Sequence, residues 1–209
     1  MARKKEVDLD VRNKAKIAEI AKKLFLKYGY EKTLMNDIAK EADMSKSTLY
    51  VYFKSKEEIK NYISLEAMQY FHDELKRKIQ PETMDLHTRY MAIYEVLVHF
   101  KEKYPLSFQL IVEEICVDDE VLKENKVLAE IYEVGEEINR FIQVCFQGET
   151  DESTVTPSIE IMEQWGSIYG IITLADNKTA YLLKNFGVTK EEFLRQSFED
   201  LYWNRSKRK

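Results

Sequence analysis

Apolar residues recur at Ile17, Ile20, Ala21, Leu24, Phe25 and Tyr28. Intervals of three and four place them on one face of an amphipathic helix. Gly29 ends that helix, as glycine does just past a C-terminus. The polar stretch before it, Met1 to Asp10, is expected to be mobile. A short helix follows over Met35–Ala42, with Thr33 as its candidate cap. Asp43-Met44 makes a tight turn. Ser45 caps a third short helix that runs to about Tyr52. Ser55 and Glu58 form a capping box that opens a long helix reaching Ile79, with Pro81 as its stop.

Further along, the period stays helical. One helix is expected over Asp85–Lys103, broken at Tyr104-Pro105. Others are expected over Leu106–Val117, over Val121–Gln147, and from a Thr156-Pro157 start to about Ala175. A last helix opens at Thr189, with Glu192 completing a second capping box. Strand patterns are missing, and Gly (6) and Pro (3) are scarce in 209 residues. The expected fold is all-α.

Charge adds a second layer. The net charge is -5, yet residues 1–60 hold 15 basic and 10 acidic residues, leaving 17 and 27 for the remainder. A basic head on an acidic body suits a chain whose head alone meets phosphate. Solvated helix faces remain the alternative on charge alone. Cys116 and Cys145 match no metal-ligand spacing and read as buried apolar residues, so no metal or cofactor is expected. The charged N-terminus lacks the apolar core of a signal peptide, and no apolar run approaches a membrane span. A cytoplasmic protein is expected.

Met35 to Phe53 is the segment that carries function. Ala39 is small enough for two short helices to cross closely, and Ile38, Ala42, Met44, Leu49 and Phe53 can share a core with the first helix. The turn between them needs a residue that tolerates the left-handed region. Asp43 is permissible there, though less comfortable than glycine. The outer face of the third helix offers Lys46, Ser47, Thr48, Tyr50 and Tyr52, and Ser45 to Lys56 contains no acid. A recognition helix lies in the major groove with its N-terminal residues on base edges. Lys46 could donate to guanine, and Ser47 or Thr48 to either base type. Tyr52, Lys54 and Lys56 would lie where phosphates pass. Tyr50 and Tyr52 as packing residues, and the two lysines as solvated surface, stay open as alternatives.

Gly29-Tyr30-Glu31-Lys32-Thr33, Ile38-Ala39-Lys40-Glu41-Ala42 and Ser45-Lys46-Ser47-Thr48-Leu49-Tyr50-Val51-Tyr52-Phe53-Lys54-Ser55-Lys56-Glu57-Glu58 closely resemble the TetR family of bacterial regulators. The resemblance is dense over about residues 12–60. It implies an N-terminal three-helix helix-turn-helix domain (1–55) and a C-terminal helical ligand-binding and dimerisation domain (56–209). It also implies a homodimer on a palindromic DNA operator, usually a repressor, released by a small molecule. By family position Thr33, Tyr52, Lys54 and Lys56 would contact phosphate, and Lys46, Ser47, Thr48 and Tyr50 would lie in the groove. The departure is Asp43, where the family usually has glycine.

The body is less explicit. Ile161, Trp165, Ile168, Tyr169 and Ile172 form an apolar stripe, with Gly166 and Gly170 four apart. Together with Phe193, Phe198 and Leu201 they suggest a dimer face made by the last two helices. Intrachain core is the alternative. Phe71, Met91, Tyr94, Phe108, Phe141 and Trp165 could line a ligand pocket or plain core, and His99, Glu113 and Glu114 could face a polar ligand or water. Two other functional classes compete with this one. An all-α enzyme lacks any nucleophile elbow, phosphate loop, HExxH or Cys/His cluster. A protein-interaction adaptor would keep the head without using it on DNA.

Overall fold

A computed structural model describes residues 2–113, 119–147 and 159–206, and every element in it is a helix. The elements are α1 (Ala2–Tyr28), α2 (Met35–Glu41), α3 (Lys46–Tyr52), α4 (Lys56–Lys78), α5 (Leu86–Lys103), α6 (Pro105–Glu113), α7 (Asp119–Glu124), α8 (Lys126–Gln147), α9 (Ile159–Asn177), α10 (Thr179–Phe186) and α11 (Lys190–Ser206). The chain groups into two compact units. One joins Met1–Gln69 with Tyr104–Tyr132, and the other joins Tyr70–Lys103 with Glu133–Lys209. The expected boundary after residue 55 falls inside the first unit, and α4 begins in one unit and ends in the other.

The first unit is built on the face read from the period of α1. Ile17, Ala18, Ala21 and Phe25 are buried there with Ile38 and Ala39 of α2, Leu49 and Phe53 around α3, and Ile59 and Ile63 of α4. Ala39 is buried, as a close helix crossing requires. The helix of α1 extends upstream to Ala2, through the stretch expected to be mobile. Gly29, at φ 88°, follows its last turn.

The second unit packs Tyr90, Ile93, Tyr94, Leu97 and Phe100 of α5 with Ile138, Phe141, Ile142, Cys145 and Phe146 of α8, Ile161, Ile168 and Ile172 of α9, and Leu194 and Phe198 of α11. The rings of Tyr94 and Phe198 stack at 4.0 Å. Asp176 accepts from both Lys101 and Lys190, the latter at 2.7 Å, which ties α9 to α5 and α11.

Three expectations are corrected. The helix expected over Val121–Gln147 is two helices, because Asn125 interrupts it. Its side-chain oxygen accepts the Leu128 amide at 3.2 Å and starts α8 afresh. The sequence reading has no helix between Ala175 and Thr189, yet α10 stands there. Leu182 anchors α10 in the core, and Gly187 closes it at φ 67°. The cap of α2 is Leu34 rather than Thr33, with the Leu34 amide donating to Asp37 at 3.1 Å. The Thr156-Pro157 start and Cys116 lie outside the described residues.

Candidate nucleic-acid interface

The turn between α2 and α3 sets the angle of the reading helix. Asp43 takes the left-handed conformation at φ 55°. Two hydrogen bonds hold it there: the Asp43 amide donates to Lys40 O at 3.2 Å and the Met44 amide to Ala39 O at 2.9 Å. This is the Schellman pattern, with aspartate where glycine is the usual occupant. Lys16 of α1 adds a third hold by donating to the carbonyl of Ala42 at 2.7 Å.

Ser45 then caps α3 and accepts the Thr48 amide at 3.0 Å. Its hydroxyl also lies 2.8 Å from those of Ser47 and Thr48, so three hydroxyls are ordered together at the start of the helix. Leu49 is buried and fastens the inner face. Lys46, Ser47, Thr48 and Tyr50 are exposed on the outer side, with the Lys46 ammonium 5.9 Å from the Tyr50 ring. Val51, 70% exposed, is a further outer residue of this helix that sequence reasoning missed. It stands three and four residues from Thr48 and Ser47, hence on their face.

The four residues expected at phosphate are placed differently from one another. Tyr52 is half-buried, and its hydroxyl accepts from Asn13 of α1 at 2.6 Å. Lys54 is exposed and its ammonium rests on Tyr50 O at 2.8 Å, closing the end of α3. The Lys56 ammonium donates to Tyr30 O at 2.7 Å and sits 4.2 Å from the centre of the Tyr30 ring. Lys60 lies over the same ring at 5.2 Å. Thr33 does not face solvent. It is buried, and its hydroxyl donates to Gly29 O at 2.9 Å, closing the turn after α1. The Ser55 cap accepts the Glu58 amide at 3.1 Å, while the Glu58 carboxylate reaches back to the amide of Lys54 rather than Ser55. Asn13 and Lys16 were also missed. The available signal was a polar residue at Asn13, four before Ile17 on the otherwise apolar line of α1.

The body residues separate cleanly. Ile161, Ile168 and Ile172, expected at a dimer face, are buried within the chain, so they form intrachain core. Gly166 and Gly170 are exposed, and Phe193 and Leu201 are half-buried. The exposed apolar residues of α9 are instead Ile159, Met162 and Leu174. Among the pocket candidates, Phe71, Tyr94 and Phe141 are buried in the second unit and Phe108 in the first. Met91 and Trp165 are half-buried. Trp165 lines an apolar crevice with Leu97, Ile142, Phe146, Ile161, Gln164 and Ile168, too tight to admit a water molecule. Its indole donates to Asn139 at 3.0 Å, and Gln164 accepts from the Tyr90 hydroxyl at 2.7 Å. His99 is exposed, and the side chains of Glu113 and Glu114 lie outside the described residues.

Two short helices at a tight turn, with a buried inner face and a carboxylate-free outer face, define a helix-turn-helix protein. Residues 17–63 match the family described as bacterial regulatory proteins, tetR family. YhgD, an HTH-type transcriptional regulator of Bacillus subtilis, is 31% identical over 105 residues, which are 49% of this chain and 53% of that protein. The chain thus spans about half the length of that relative. The fold is similar to the fatty acid degradation regulator FadR of Bacillus halodurans (TM-score 0.63, 16% identity, 91% of this chain and 94% of that one). It is also similar to AibR in complex with isovaleryl coenzyme A and operator DNA (TM-score 0.59, 19% identity, 89% and 96%). Among the described residues no helix is long and apolar enough to cross a membrane.

Proposed function

We propose that this protein is a DNA-binding transcriptional regulator whose α3 enters the major groove. The observation that carries the reading is the outer face of α3. Lys46, Ser47, Thr48 and Tyr50 are exposed together beside a capped N-terminus, while Leu49 fixes the helix from within. Lys46 donates to guanine, the hydroxyls of Ser47 and Thr48 reach base edges, and Val51 meets a thymine methyl. Lys54, Lys56 and Tyr52 border this face and take phosphate. Thr33 is left out of the contacts, because its hydroxyl is already used.

The protein acts in the cytoplasm as a homodimer on a palindromic operator, since an isologous pair of heads reads two inverted half-sites. Its second unit takes a small-molecule effector that ends repression. The crevice around Trp165 suits an apolar moiety, with Gln164 as the polar handle. FadR and AibR, by their names and ligands, favour an acyl group. Because the crevice is too tight for a water molecule, an effector must part α5, α8 and α9 to enter it. A displacement that reaches α4 is carried along that helix toward α3. Thermal unfolding with a panel of short acyl-CoA thioesters and their free acids tests this. A midpoint raised by none of them removes the acyl reading.

Selection from random duplex DNA, followed by salt titration on the recovered duplex, tests the main proposal. A specific binder recovers an inverted repeat and loses affinity steeply as salt rises. Lys54→Ala or Lys56→Ala is expected to weaken all duplexes alike and lower the salt slope by about one. Lys46→Ala, Thr48→Ala and Val51→Ala are expected to change base preference instead. If no duplex is enriched over the starting pool, the assignment of α3 is wrong.

A further inference from the structure

We propose that Asn13 is a positioning residue for a phosphate contact made by Tyr52, an inference that rests on the reading of α3 as the groove helix. Asn13 stands four residues before Ile17 and eight before Ala21, on the line of α1 whose later members are buried apolar side chains. A half-buried amide at that place needs a polar partner. It finds one 39 residues away, at the end of α3, where its Nδ2 donates to the Tyr52 hydroxyl at 2.6 Å.

The direction of that bond matters. A tyrosine hydroxyl carries one proton and can also accept. With the Asn13 amide as donor, the Tyr52 oxygen acts as acceptor and keeps its own proton for another group. Accepting one bond also polarises the O–H toward donating a second. The stretch from Ser45 to Lys56 has no carboxylate to take that proton, and Lys54 and Lys56 make the neighbourhood favourable to an anion. A DNA phosphate oxygen fits this donor. Asn13 thereby fixes a hydroxyl that would otherwise rotate, and it does so without adding charge. Lys16, three residues on, holds the Ala42 carbonyl, so α1 grips the helix-turn-helix at the turn and again at the far end of α3.

The test is a double-mutant cycle in the full chain, read as affinity for a duplex selected from a random pool. Asn13→Ala and Tyr52→Phe are each expected to weaken binding about fivefold. The double variant is expected to be no weaker than Tyr52→Phe alone, because Asn13 acts through the hydroxyl. Base preference and salt slope should stay as in the parent, since a neutral donor displaces no counterion. A purely structural tie would instead lower the unfolding midpoint with no coupling in binding. The inference is overturned if Asn13→Ala leaves affinity unchanged, or weakens the Tyr52→Phe protein as much as it weakens the parent. Should the parent enrich no duplex at all, the reading of α3 fails and takes this inference with it. Enrichment with an additive cycle sinks the role of Asn13 alone.

Discussion

Asp43 is the one non-glycine residue with positive φ among the described residues, and it sits where the reading helix is aimed. A left-handed L-residue costs about 1–2 kcal/mol, less for aspartate than for most. Glycine removes that cost but has more freedom to lose on folding. Asp43→Gly is therefore expected to stabilise the protein by about 0.5 kcal/mol, read as a higher urea midpoint. It should also tighten DNA binding by removing an acid near phosphate. Asp43→Ala keeps the strain and should not stabilise. Two other carboxylates act at helix starts. The backbone amide of Thr88 holds Asp85 below the usual carboxylate range, and that of Thr189 does the same for Glu192. A lowered folded pKa means that the native state binds fewer protons than the unfolded chain. The stabilisation is then present above the unfolded pKa of about 4 and is lost as pH falls through the folded value. Glu192→Gln should lower the urea midpoint at pH 7, and the deficit should narrow as the pH drops below about 4. A deficit that stays constant across that range would assign the effect to something other than the carboxylate.

At the scale of elements, α3 shows why the head was legible in the sequence. Its cap, its buried Leu49 and its outer residues are all local, within the eight residues from Ser45 to Tyr52. Ser45→Ala removes the bond to the Thr48 amide and frees the hydroxyls of Ser47 and Thr48. About 1 kcal/mol of stability should go with it, and base discrimination should fall more than non-specific binding does. What stayed hidden is a choice between competing partners that are themselves close in the chain. The position of Thr33 announced a polar residue before a helix, but only the fold shows its hydroxyl spent on Gly29. Asn125 has neighbours that favour continuous helix, and only the structure shows its side-chain oxygen taken by the Leu128 amide. The helix of α10 has too few residues for a clear period, and its single buried anchor, Leu182, gives little to read. The stripe Ile161, Ile168, Ile172, expected at a dimer face, is buried within the chain. Periodicity states that a face is covered and never by what.

At the scale of the whole molecule, that correction moves the proposed dimer contact to the opposite side of α9. Ile159, Met162, Gly166, Gly170 and Leu174 recur at intervals of three and four, and all are exposed in the single chain. The exposed Glu163 lies beside them and limits the apolar width of this side. A Cβ added at Gly166 or Gly170 meets nothing within 4 Å, so no contact inside the chain requires glycine there. Glycine inside a helix costs about 0.5–1 kcal/mol relative to alanine. Two such residues on one apolar side make physical sense if another backbone approaches them closely. The two possibilities give opposite signs. In an isolated chain, Gly170→Ala should raise the unfolding midpoint, and Gly170→Leu should be tolerated. If a second chain packs on this side, Gly170→Leu wedges the helices apart. Sedimentation should then show dissociation at concentrations where the parent is a dimer, and operator affinity should fall with it. A Gly170→Leu protein that remains dimeric and binds its operator like the parent would place the subunit contact elsewhere.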